Sequence, residues 1–201
     1  DEPFSQYPYL AESVERIGNN QGIVFNLNPK ATFHDGTPVT AEDVVNTFNY
    51  LRTQGKPFYA AYYRDVEKVE AIDKDSVKFT FKHNENRELP LILGQLSVIK
   101  TDEINALATQ KEKKPFTGTG PYRVKDYKIG QYVVYERVHN AWLENLPVMK
   151  GRYNFDEIRV DYYRDENVVL EAFKSGRIDY TFENSAKRWA TAYVGDKFDS
   201  K

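Results

Sequence analysis

The segment TAEDVVNTFNYLRTQG, Thr40 to Gly55, constrains the fold more than any other. Val44, Val45, Phe48 and Leu51 recur at helical spacing, so one face of a helix over 41–55 is apolar and has to be covered. Thr40 stands at its N-cap with Asp43 three residues on, and Gly55 stands at its C-terminal end. Segments of period two on either side supply the cover. GIVFNLNP (22–29) alternates Ile23, Phe25 and Leu27 against Val24, Asn26 and Asn28, while VEKVEAI and SVKFTFK, joined by Asp73-Lys74-Asp75, read as a hairpin. The expected arrangement is one continuous mixed sheet from Gly22 to Val160 with the helix packed on it.

The rest of the chain continues the pattern. ELPLILGQL (88–96), broken by Pro90, reads as a brief helix or turn, and a short helix is expected from Asp102 to Thr109. PYRVKDY and QYVVYERV form a second hairpin around Lys128-Ile129-Gly130. FDEIRVDYY (155–163) is an alternating strand with Phe155, Ile158 and Val160 apolar. Asp165 then caps a helix whose face of Val168, Val169, Leu170 and Phe173 stops at Gly176. RIDYTF (177–182) is expected as a last strand, followed by a helical turn and a polar tail. Hairpins mixed with strand-helix-strand steps place the chain in the α/β or α+β class, a mixed β-sheet with flanking helices.

Chemistry is harder to assemble. HDGTPVTAED (34–43) gathers one histidine and three carboxylates, yet turn and cap geometry accounts for each of them: Asp35-Gly36 is a tight turn, and Glu42 and Asp43 fall in the first helical turn, where the dipole favours negative charge. His34, His83 and His139 are far apart, so no metal is expected. GTGP (118–121) lacks the Lys-Ser/Thr ending of a phosphate loop and leads into a strand, which makes it a strand-entry turn. Asp156-Glu157 and Asp165-Glu166 are sequence neighbours that do not form an acid/base pair across a site. There is no cysteine and no nucleophile elbow, so neither an enzyme nor a cofactor is expected. A net charge of −2 gives no argument for nucleic acid, and the Lys111, Lys113, Lys114 run reads as a solvated loop. The 15 tyrosines suit either a recognition surface or strand positions.

The order of segments is more informative than any one motif. LAESVE, then FHDGTPVTAEDVVNTFNYL, GTGPYRV, GQYVVYER and VVLEAFKSGRIDY follow one another in a way that resembles the family-5 extracellular solute-binding proteins of ABC importers, and the C-terminal part looks most like the oligopeptide and microcin C-type branch. The resemblance implies the first lobe of a type II periplasmic-binding-protein-like fold, with residues 1–184 an incomplete first lobe and 185–201 the start of the crossing toward a second. It implies a periplasmic location, a peptide or modified-peptide ligand, an ABC permease as partner, and no cofactor. Family members are more than twice as long, so the chain is expected to be a fragment or a shortened form. A truncated remnant serving as an interaction protein without uptake is the alternative, and self-association through the exposed lobe face is a further expectation. With one wall only, weak peptide binding is expected of the chain alone.

The resemblance also points to site residues. KPFYAAYY matches the family segment that sends an aromatic into the peptide cleft, with Tyr59 in the equivalent place and Tyr62 and Tyr63 as weaker candidates. TFENSAKRW matches the cleft-lining turn with Phe182, Glu183 and Asn184; Glu183 stands where an amide is common and is expected to favour a cationic ligand end. The structural alternatives are a buried Tyr59 ring capping the helix and a Glu183 salt bridge to Lys187 or Arg188.

Overall fold

The structure is a computed structural model that describes residues 5–109, 114–195 and 198. It divides into two compact units, residues 1–125 with 135–158 and residues 126–134 with 159–201. Strand β1 (Ala11–Ile17) pairs antiparallel with β2 (Gly22–Leu27), and helix α1 (Ala41–Gln54) follows. After the short helix α2 (Pro57–Tyr62) comes a hairpin of β3 (Val66–Ala71) and β4 (Ser76–Phe81). The four strands make one sheet in the order β1-β2-β4-β3, each neighbouring pair antiparallel.

Register puts the apolar residues on one face. Ile23 lies opposite Phe79 and Phe25 opposite Val77, so the alternation of β2 and β4 faces α1. Phe48 is fully buried there, its ring edge-on to Phe79 at 5.3 Å and tilted on Tyr63 at 4.8 Å. Val44 is buried beside it, and Val45 and Leu51 pack against the same core. Two polar residues join this face. Thr47 is fully buried, donating to Ile99 O at 3.0 Å and accepting from Ile99 N at 2.8 Å, which satisfies both of its roles.

The caps of α1 follow the sequence closely. Thr40 and Asp43 form a capping box, and the Asp43 carboxylate also accepts from Thr101 N at 2.9 Å. Gly55 does cap the other end, but with φ −72° it is not left-handed. A Cβ there would stand 2.4 Å from Leu51 O, so close approach and not positive φ requires the glycine.

Past β4, α3 (Leu89–Leu93) puts Leu89 and Leu93 into the core of the first sheet, and α4 (Thr101–Ala106) packs against α1. The strands β5 (Tyr122–Lys128), β6 (Tyr132–Arg137) and β7 (Glu157–Asp161) then form a second sheet in the order β5-β6-β7, with α5 (Ala141–Glu144) between the last two in sequence. Val138 N bonds Pro121 O and Gln131 N bonds Lys128 O, while Arg137 N bonds Asp156 O and Tyr162 N bonds Gln131 O, so β6 runs antiparallel to both neighbours. The expected single sheet from Gly22 to Val160 is therefore corrected to two separate sheets. The α+β class itself holds.

In the second unit, α6 (Glu166–Lys174) starts at Asp165, whose side chain accepts from Asn167 N and Val168 N, and α7 (Ala186–Ala192) starts at Ser185. Leu170 and Ala172 carry the buried side of α6, while Val168 is exposed, which narrows the expected face. Residues 177–182 form no strand, a second correction: no ladder holds them, and Tyr180 and Phe182 are exposed. Phe155, just before β7, and Val160 on it are exposed as well, so the alternation there marks no buried face. The lysine run falls outside the described residues except for Lys114. No helix among the described residues is long and apolar enough to cross a membrane.

Candidate functional site

The acidic cluster at 34–43 is structural throughout. Gly36 adopts φ +83° as the turn demands, and Asp35 accepts from Thr37 N at 3.0 Å and from Lys100 Nζ at 2.5 Å. His34 donates from Nε2 to Gly120 O at 2.8 Å and from its backbone to Gly118 O at 2.9 Å, tying this turn to the strand-entry turn before β5. No group of three His, Asp or Glu residues among the described ones could hold a metal ion.

The Asp35 pair has a measurable consequence. The hydrogen bond from Lys100 first, then that from Thr37, holds the Asp35 carboxyl at about 2, below its ordinary 3.8. Its contribution is complete above 3.8 and is lost as pH falls toward about 2. Denaturant midpoints measured down this range are expected to fall less steeply for Asp35→Asn than for the parent; parallel slopes would show that the pair carries no pH dependence.

The Tyr59 segment owes its shape to Pro57, which opens α2 at the first helical position. Successive rings then stack on one another: Phe58 and Tyr59 lie 4.1 Å apart, and Tyr59 and Tyr63 lie 5.9 Å apart and nearly parallel. Tyr63 is the buried member, and burial, then the neighbouring Tyr59, push its hydroxyl up to about 12. Tyr59 is half-buried, its ring passing over Gly55. Tyr62 and Phe58 are 56% and 45% exposed, so α2 offers an aromatic surface anchored from beneath by Tyr63.

The second candidate segment lies in the second unit. Phe182 is 78% exposed with its ring edge-on to Tyr180 at 5.0 Å, and Asn184 is exposed. Glu183 differs. One carboxylate oxygen accepts from Ser185 N at 2.7 Å and the other faces Arg188 Nε at 3.5 Å, leaving the side chain 9% exposed. Of the two structural alternatives, the Arg188 bridge is the one formed. Arg188 also bonds Glu166 at the start of α6. Sequence reasoning missed this role of Glu166, because its spacing of 22 residues from Arg188 carries no periodic signal.

One surface hollow of about 520 Å³ is lined by Gln21, Lys78, Thr80, Lys82, His83 and Asn84, among others. None of the candidate residues lines it.

The model of the bacterial extracellular solute-binding proteins, family 5, middle region, matches residues 5–200. The chain belongs to this family. It is 43% identical over 203 residues to the uncharacterized protein YejA of Escherichia coli K12, covering all of this chain and 33% of that protein. It is 38% identical to the peptidoglycan-binding protein YepA of Agrobacterium fabrum, covering 96% of this chain and 33% of YepA. The oligopeptide-binding protein AppA of Bacillus subtilis, solved with a nonapeptide, shares the fold at a TM-score of 0.75 and 24% identity, covering 95% of this chain and 37% of AppA. The chain thus spans about a third of the length of the family-5 relatives it matches.

Proposed function

We propose that this chain is part of the solute-capturing subunit of an ABC importer, working outside the cytoplasm, in the periplasm, with a membrane permease, and that its solute is a peptide or a modified peptide. The observation that carries the reading is the exposed aromatic surface of α2, formed by the segment whose resemblance to the family implies a ligand contact. Aromatic faces suit peptides because they give large contact area to apolar side chains while the tyrosine hydroxyls serve the backbone. In this proposal Tyr59 and Tyr62 are the ligand-contacting residues of α2; the turn of residues 182–184, taken by itself, offers Phe182 and Asn184 as contacts, and Glu183 shapes that turn. The assignment of residues 1–184 to a first lobe and 185–201 to the crossing segment belongs to the same proposal. No catalytic step and no self-association are proposed; the comparisons support neither. The peptidoglycan-binding relative and the nonapeptide complex are two versions of one chemistry, a peptide with or without a sugar portion.

Native mass spectrometry of the full-length protein, as purified and after adding oligopeptides or soluble peptidoglycan fragments, tests this. One of the two classes is expected to bind, and calorimetry on Tyr59→Ala and Phe182→Ala is expected to show affinity lowered by about tenfold each, the usual weight of an aromatic anchor. Binding of neither class would refute the reading.

A further inference from the structure

The turn that carries Phe182 and Asn184 is held by ionic contacts within the second unit. Glu183 points inward, with Ser185 N, Arg188 and the Tyr193 hydroxyl as its partners; Tyr193 is pushed up first by burial and then by this carboxylate. Ser185 Oγ in turn accepts from Arg188 N at 3.2 Å, so one short stretch both caps α7 and pairs the acid. Glu166 holds the other side of the Arg188 guanidinium and ties α6 to the turn. Arg188 is largely covered, its side chain 25% exposed, and Glu183 is more so. A carboxylate enclosed in this way cannot turn outward without leaving the guanidinium and the Ser185 amide behind.

We infer that Arg188 is a specificity-determining positioning residue: by keeping the Glu183 carboxylate inside, it lets the turn present Phe182 and Asn184 with its own carboxylate turned away. The group received at this turn is then uncharged, an apolar side chain or a backbone amide, and not the cationic end that Glu183 suggests when the sequence is read alone. Asn184 supplies a donor and an acceptor for an amide, and Phe182 supplies an apolar face. The inference rests on the peptide reading above and narrows it.

Two readouts on the full-length protein test it. The first needs no ligand: amide exchange at Ser185 and Arg188 is expected to speed up about tenfold in Arg188→Gln, because a local opening then breaks fewer contacts, and to return near the parent rate in Arg188→Lys. The second is calorimetry with two probes, an alanine tripeptide and the same tripeptide with a central lysine. Arg188→Gln frees Glu183, so the ratio of affinities is expected to shift toward the lysine peptide by roughly five- to tenfold, and Arg188→Lys to restore it. In Glu183→Gln, whatever the loosened turn does to both peptides alike, the ratio of their affinities is expected to stay within about twofold of the parent's. Unchanged exchange in Arg188→Gln overturns the inference, as does a shift of about tenfold or more against the lysine peptide in the affinity ratio of Glu183→Gln. If neither peptide binds while exchange accelerates, Arg188's hold on the turn stands and the peptide reading is what falls.

Discussion

Phe48→Ala is expected to lower the folding free energy by about 3–5 kcal/mol, read as a fall in the denaturant midpoint at unchanged slope. Phe48 is fully buried where α1 meets the first sheet, with Phe79 and Tyr63 against its ring and the Arg52 guanidinium 5.0 Å from its centroid. Truncation removes the transfer free energy of the ring and leaves a void that the strands cannot close, because β2 and β4 are pinned to each other by an unbroken register from Gly22 to Asn26. Phe48→Leu refills much of that space and is expected to cost about half as much. A loss under about 1 kcal/mol for the alanine variant would show that the ring does not fill the core.

The second large effect is expected at Asp43. Its carboxylate accepts from Thr40 N at 2.9 Å, Thr40 Oγ1 at 2.8 Å and Thr101 N at 2.9 Å, and the residue is 6% exposed. One side chain thus closes the first turn of α1 and holds the first residue of α4. Asp43→Ala removes a cap, worth about 1 kcal/mol, and strands the Thr101 amide at about 1–3 kcal/mol, for a total of about 2–4 kcal/mol. Asp43→Asn keeps one carbonyl acceptor and is expected to lose less than half of that. Thermal unfolding of the pair checks the order, and equal losses would mean that the charge and not the acceptor geometry matters.

The two sites differ in how readable they were. Phe48 follows from periodicity alone. Asp43 was legible as a cap of its own helix, since Thr40 stands three residues before it, but its bond to Thr101 joins residues 58 apart, and no local pattern encodes that. Thr47 is similar: a threonine among Val44, Phe48 and Leu51 interrupts the apolar stripe until Ile99 appears as its partner. The strand β1 was missed in the period-two pass, because most of its residues are exposed and AESVERI alternates poorly. The opposite error arose at 177–182, where apolar alternation suggested a strand that no neighbour holds. For the candidate site, the aromatic character of α2 was plain in KPFYAAYY, but which tyrosine is buried was not; Tyr63, the weaker candidate, is the anchor, and Tyr62 is the exposed one.

What the sequence by itself determined was local: the helix 41–54 with its caps, the two hairpins, the turn at Asp35-Gly36 and the ordered motifs that mark the family, all set by contacts within a few residues along the chain. Only the tertiary structure decided that the strands divide into two sheets and that Glu166 joins Arg188 from 22 residues away, because strand pairing and the pairing of charges depend on which distant groups share a space. A period-two pattern states that one face needs cover, and a carboxylate states that it needs a donor. Neither states where along the chain the cover or the donor lies.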